Sequence, residues 1–495
     1  MKSTILLLNT FLFITSTPFI NSPPTPMRWD LNLIDFQNSF GQDKNFLVAE
    51  VSTVNQLDKE TIVNVGEQPS TQPALPGEKA FQISFSCDVD ATLCNKAKNG
   101  MHSYYLPFTF YSFVGFQSAA NRIASVLRIN TPIVVSATFK SFCEGADNCK
   151  LQGVLGQAAP SSYFSGKPAE ASEDTQWMSY PSALIKQLRH SMDESAFAQF
   201  DITAQFNADF DFWFEGDALP MRPKQIDFEF VLCHELTHGL GFDTQWVQWS
   251  SVFKNVATSS NYLAPTLNAV GGVVESAKVA SWLPMTVFDN FEYETSTLSS
   301  LMNRANSIYN FETIPNSLLT DTINAFERST KEFTQAQYMF QIATQGSAAV
   351  TFHNPKKPLN DVKLFTAKTF QVGSSFAHFD YTSYFQTPDF LMIPAVSELS
   401  GKTLDDIINT NTKQGELSQK SCYGPLTLGV LEAIGWPTQQ NPDSLAITIM
   451  TSSESIRGNG FYADPPVLQS SFKKHKVNFK LWSFLTLLIG FFCIN

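Results

Sequence analysis

One stretch constrains this chain more than any other: "FVLCHELTHGLGF", residues 230–242. His234 and His238 are four apart, so on a helix both imidazoles leave the same face. Apolar residues surround them, which predicts a buried helix beginning near Ile226, just after Pro223. Buried histidines need a hydrogen-bonding partner or a metal. Two of them at this spacing can fill two corners of a tetrahedral zinc site. Glu235 sits beside the first ligand, where it can reach a metal-bound water and act as the base; it cannot easily be a ligand as well. That is the peptidase reading of His-Glu-x-x-His, with one catalytic Zn2+ as the cofactor.

A zinc enzyme of this kind needs a third protein ligand. The longer metzincin signature continues through a glycine to a histidine or aspartate six residues after the second ligand. Gly241 supplies the turning glycine. The ligand position, however, holds Thr244, and Asp243 falls one residue early. The other histidines are His102, His190, His353, His378 and His475. His378 stands in "GSSFAHFD", and 14 residues later Met392 stands in "DFLMIP". His353, in "TFHNP", is the spare candidate, with no methionine turn after it. A glutamate such as Glu275 or Glu292 would instead make the site gluzincin-like.

With these residues in place, the chain resembles leishmanolysin and its relatives, zinc metalloproteases of the metzincin clan. It also resembles a broader set of secreted proteins with a "HELxHGLGF" helix. "HELTHGLGF", "SSFAHFD", "DFLMIP" and "GPLTLGVLEAIGW" occur in the family's order, and the likeness is strongest over about 110–245 and 370–437. The resemblance implies an α+β, two-lobed metzincin-like fold with a mixed twisted sheet, an active-site helix, a Met-turn and a C-terminal helix. It implies that His234, His238 and His378 bind zinc, that Glu235 is the base, and that Met392 forms the Met-turn. The third ligand is then 140 residues beyond the second, across an insertion at about 245–370. The implied activity is hydrolysis of peptide bonds in protein or peptide substrates. No tyrosine follows Met392 closely, so a tyrosine aiding the oxyanion is not indicated. A non-catalytic surface adhesion protein on the same scaffold is the rival from another class.

Local patterns place further elements. "TPIVVSATFK" alternates as a half-buried strand, "AANRIASVLRI" and "PSALIKQLRHSM" read as helices, and "FNADFDFWF" reads as one strand with Asp209 and Asp211 facing away from the phenylalanines. "STLSSLMNRANSIYNF" and "TDTINAFERSTKEFTQAQYMFQIA" look helical. "YGPLTLGVLEAIGWP" reads as a helix stopped by Gly435 and Pro437. Helices and strands therefore mix along the chain.

The 495 residues are 43% hydrophobic and 16% charged, with 44 phenylalanines and a net charge of -12. That composition is globular, and the acidity argues against nucleic acid as a partner. Residues 1–20 have the layout of a secretory signal peptide. Residues 21–85 form an N-terminal region or pro-segment, 86–437 the catalytic domain, 438–471 a polar stalk and 472–495 a hydrophobic tail. The tail fits a GPI signal, with Ser470 or Ser471 as attachment points, or a short membrane anchor. The chain is thus expected to be secreted or on the outer face of the plasma membrane. Without tail residue Cys493, six cysteines remain, and six allow 15 pairings. Their spacings suggest Cys87–Cys94 and Cys143–Cys149, leaving Cys233 with Cys422.

Overall fold

The computed structural model describes residues 74–449, except 76, 90–92, 95–113, 144–152, 173–174, 189–195, 216, 218–219, 254–255, 271–276, 347, 355–360, 413–420 and 443–444, together with the strands 28–32, 48–52 and 63–65 upstream. The proposed signal peptide, the C-terminal tail, His102, His190, His475, Cys149 and Glu275 lie outside the described residues. No helix among the described residues is long and apolar enough to cross a membrane.

The fold is mixed α+β, built on several small sheets. The strands in chain order are β1 (Arg28–Asn32), β2 (Val48–Ser52), β3 (Val63–Val65), β4 (Phe81–Cys87), β5 (Ile133–Lys140), β6 (Gly156–Pro160), β7 (Ser162–Pro168), β8 (Met178–Pro181) and β9 (Ile202–Asn207). They continue with β10 (Phe212–Trp213), β11 (Ile226–Asp227), β12 (Leu267–Val270), β13 (Lys278–Trp282), β14 (Glu292–Glu294), β15 (Ser299–Ser300), β16 (Val350–Phe352), β17 (Val362–Leu364) and β18 (Ile447–Ile449). The main helices are α1 (Val114–Ala124), α2 (Ser182–Leu188), α3 (Phe228–Gly239), α4 (Met302–Tyr309), α5 (Leu319–Arg328), α6 (Lys331–Ala343), α7 (Leu404–Asn411) and α8 (Pro425–Ile434).

The sheet that carries the site has the order β4-β5-β9-β6. β4, β5 and β9 are parallel, and β6 closes one edge antiparallel to β9. β5 alternates buried and half-buried residues along its whole length, as its sequence predicts. α3 lies against this sheet through Phe228 at its first turn. The Phe228 ring meets Phe214 at 5.0 Å, Phe212 at 5.1 Å, Phe206 at 5.3 Å, Phe139 at 5.8 Å and Phe116 at 6.4 Å. Such aromatic pairs add about 0.5–1.5 kcal/mol each beyond the area they bury. The abundance of phenylalanine is therefore put to use in seating the histidine-bearing helix.

"FNADFDFWF" is not a single strand. β9 ends at Asn207 and β10 begins at Phe212. The Asp209 carboxylate accepts from the backbone N–H groups of Phe142 and Cys143 and from Ser141 Oγ, each at 2.9 Å. Those donors turn the chain where simple alternation would have continued it.

The 245–370 segment has structure of its own. β15-β14-β16-β17 form an antiparallel sheet, and β12 pairs with β13. Phe326 of α5 gathers Trp249, Phe311, Phe333, Tyr262 and Trp282 at ring distances of 5.0–6.0 Å. The long helical stretch after Thr320 is two helices, α5 and α6, broken at Ser329 and Thr330.

The expected stalk is not loose throughout. β18 pairs with β7 on one side and β3 on the other, while β1 pairs with β7 and β2. Ile447 and Ile449 are fully buried, which holds the chain in the sheet well past Pro437. The N-terminal region and the segment after 437 thus share one sheet, and the first strand of the site-bearing sheet begins at Phe81.

Candidate metal centre

α3 begins at Asp227, whose side chain accepts from the Glu229 N–H, the usual way of satisfying a free amide at a helix start. The other Asp227 oxygen accepts from the Leu404 N–H at 2.8 Å and ties α3 to α7. Arg122 on α1 adds ion pairs to Glu229 and Asp405. The helix ends just before Gly241, whose φ of +105° turns the chain away. A Cβ there would also meet Pro181 Cγ at 2.7 Å, so a glycine is required twice over.

His234, His238 and His378 converge, with ligand atoms all within 4.8 Å of one another. All three are 0% exposed. Each Nδ1 bonds to a backbone carbonyl: His234 to Leu391 at 2.7 Å, His238 to Phe242 at 2.8 Å and His378 to Ser374 at 3.1 Å. A carbonyl oxygen only accepts, so each Nδ1 carries the ring proton. Burial holds the His234 pKa down at about 4. It pushes His238 and His378 well below the usual range, and the neighbouring histidines add to that. The neutral rings therefore keep their protons on Nδ1 and leave Nε2 bare.

The Nε2 atoms of His234 and His238 are 3.0 Å apart, and those of His234 and His378 are 3.1 Å apart. These contacts are not hydrogen bonds, because no Nε2 has a proton to give. Three lone pairs directed at one another repel unless a cation sits among them. Zinc–nitrogen bonds of about 2.0–2.1 Å at tetrahedral angles put the nitrogens roughly 3.3 Å apart, close to what is seen. Backbone acceptors that orient ligating histidines in this way are a regular feature of metal sites. The donor set could hold a metal ion.

The segment delivering His378 is built by the 245–370 region. The Phe365 N–H donates to the His378 carbonyl at 2.7 Å, and the Asp380 N–H to Lys363 at 2.9 Å, extending β17 past the histidine. Met392 is fully buried in a short 3-10 turn, Phe390–Met392. Its carbonyl accepts from the Phe379 N–H at 2.7 Å, while the preceding carbonyl, of Leu391, holds His234. Asp389, at the start of that turn, caps α8 by accepting from the Leu426 and Thr427 N–H groups at 2.8 Å. Trp436 Nε1, beyond α8, donates to the Leu240 carbonyl at the end of α3.

Glu235 is 0% exposed, and neither of its oxygens has a hydrogen-bond partner within the protein. Burial raises its pKa well above the usual carboxylate range, and the Ala158 backbone opposes this. The carboxylate lies against β6, where a Cβ on Gly156 would meet Glu235 Cγ at 2.9 Å and Oε1 at 3.0 Å.

Thr244 does not face the histidines. Its hydroxyl donates to Asp289 at 2.6 Å. Glu292 is buried but is no part of the histidine cluster. His353 pairs with Asp361 at 2.9 Å, half-buried and apart from it. Of the expected disulfides, Cys87–Cys94 is formed and Cys143 is disulfide-bonded. Cys233 and Cys422 correct the third expectation: both are buried free thiols. Burial and the neighbouring Cys422 thiol push the Cys233 thiol well above its usual range. Sequence reasoning missed the three carbonyl acceptors and Gly156. Backbone groups carry no side-chain signature, and nothing marks Gly156 among the chain's 24 glycines.

Residues 77–457 match the family described as SPBPB7E8-like. The chain belongs to that family. The matched span of this SPBPB7E8-like chain includes α3, His378, Met392, Asp389 and β18, and begins after β3. A curated relative from Schizosaccharomyces pombe, described as "Uncharacterized protein PB7E8.01", is 37% identical over 163 residues, which is 31% of this chain and 27% of the relative. The chain thus matches about a quarter of that relative's length. No solved structure matches.

Proposed function

We propose that this chain is a zinc-dependent endopeptidase with a metzincin-like, leishmanolysin-like site, acting outside the cell or at its surface. The observation that carries this reading is the convergence of three Nε2 lone pairs, each fixed by an Nδ1–carbonyl bond, with Glu235 on the same helix. Bound zinc would polarise a peptide carbonyl and acidify a water molecule. His234, His238 and His378 would hold the ion, and their carbonyl partners would keep the imidazoles oriented. Glu235 would take the proton from the attacking water and return it to the leaving amine.

The test is zinc content together with casein cleavage, with and without a zinc chelator, in the wild-type chain and in Glu235→Gln. Chelator-sensitive cleavage that is lost in a zinc-loaded Glu235→Gln protein is the expected result. Stoichiometric zinc without cleavage would favour a non-catalytic surface protein. Zinc retained in His378→Ala and lost in Glu292→Ala would favour the gluzincin arrangement.

A further inference from the structure

The loop leaving α3, Gly241–Trp246, faces a second group of buried polar side chains. Asp243, Gln245, Asp289 and Glu292 are all 0% exposed. Asp289 is fully engaged: it accepts from Thr244 Oγ1 at 2.6 Å, the Gln245 N–H at 3.0 Å, the Thr286 N–H at 2.9 Å and Thr286 Oγ1 at 2.8 Å. Those donors hold its pKa to about 6 despite complete burial. Asp243 is engaged through one oxygen, which accepts from the Tyr163 hydroxyl. The rest of the group is unsatisfied. Two donors on the loop, Gln245 Nε2 and Trp246 Nε1, have no hydrogen-bond partner within the protein, and neither do the acceptors Asp243 Oδ1, Gln245 Oε1 and both Glu292 oxygens.

These are acceptor oxygens from three side chains, two of them carboxylates. Glu292 feels the charge of both Asp289 and Asp243, and the Trp246 indole N–H comes nearest to answering it without completing a bond. No lysine or arginine among the described residues makes an ion pair with Asp243 or Glu292. Buried carboxylates without a counter-charge cost several kcal/mol each. A satisfied neighbour, Asp289, shows that this chain supplies donors where it intends a carboxylate to stand alone.

We propose that Glu292, Asp243 Oδ1 and Gln245 Oε1 bind a calcium ion. The donors are all oxygen, with no imidazole or thiolate among them, which selects a hard cation over zinc. A bidentate glutamate with one aspartate oxygen and one amide oxygen leaves room for water in a shell of six to eight. Asp289 acts as the orienting group behind the ligands. The ion would pin the loop whose Phe242 carbonyl orients His238, so it would act as a positioning element for the histidine centre. The site does not depend on whether that centre is catalytic.

The test uses terbium(III), a luminescent stand-in for calcium, on the purified full chain. Trp246 lies beside Glu292, so indole excitation is expected to sensitise terbium emission, and added calcium is expected to displace it. Glu292→Gln and Asp243→Asn are each expected to abolish most of that emission, while His378→Ala keeps it. Independently of any variant, Tm of the wild-type chain is expected to climb with the logarithm of calcium concentration, as ligand linkage requires. Two results would overturn the proposal. One is wild-type emission no stronger than that of Glu292→Gln, with Tm indifferent to calcium. The other is a calcium response unchanged in both variants. The first, with Glu292→Gln as stable as wild type, would mean that the acids are held protonated.

Discussion

Gly156→Ala is the sharpest probe of where Glu235 belongs. The new methyl would stand 2.9 Å from Glu235 Cγ, 3.0 Å from Oε1 and 3.1 Å from Cδ. An ordinary carbon–carbon contact is ~3.5 Å or more, so the glutamate must retreat by roughly 0.6 Å. It is fully buried, so the retreat has to be shared with its neighbours. Overpacking of this sort costs about 1–3 kcal/mol of stability. A misplacement of about 1 Å costs roughly 10²-fold in rate, so cleavage is expected to fall by about 10–10²-fold. The three atoms nearest the new methyl all belong to Glu235 and none to a histidine, so zinc content is expected to stay at the wild-type level. The assay pairs metal analysis with kcat/KM for a fluorogenic peptide and with thermal unfolding. A folded, zinc-loaded Gly156→Ala protein with wild-type kcat/KM would refute the proposal that Glu235, beside β6, is the reacting carboxylate.

His378→Ala removes one of three nitrogen donors, and metal analysis after dialysis is expected to show loss of zinc with the fold retained by circular dichroism. Asp227 bears on pH: burial raises its carboxyl from 3.8 to about 7 in the folded chain. The protonated form is the one the fold favours, so its contribution is fully present below about 3.8 and is lost as pH rises toward about 7. Urea unfolding across that range should show a falling contribution on the order of 4 kcal/mol, flattened in Asp227→Asn, which keeps a capping side chain. Finally, Cys233 and Cys422 should alkylate after unfolding without reductant, whereas Cys87 and Cys94 should not; peptide mass spectrometry reads this directly.

How much of this was legible depends on which atoms do the work. The i, i+4 histidines and their apolar flanks announced α3, because side-chain identity alone fixes which face is buried and what it carries. β5 and α8 were legible for the same reason. His378 and Met392 were found through their motif context, and the structure brings His378 to the pair. What escaped was carried by the backbone or by distant partners. The carbonyls of Leu391, Phe242 and Ser374 leave no mark in the sequence. Thr244 reads as a missing ligand until Asp289 is seen to need its hydroxyl. The alternation through Phe206–Phe214 was a true pattern overridden by Asp209, whose acceptors are met 66–68 residues away. β18 is three residues, Ile-Thr-Ile, too short to stand out until two neighbouring strands flank it.

β18 also determines how the molecule bears a load. It lies between β7 and β3, with Ile447 and Ile449 buried. Tension on the chain beyond this strand would reach two antiparallel ladders before it reached α8 or the Phe390–Met392 turn. The ladders would have to be stripped first, with the isoleucines drawn out of the core. A pull on the C-terminal side would therefore meet the β7-β18-β3 ladders before it met the helices around α3.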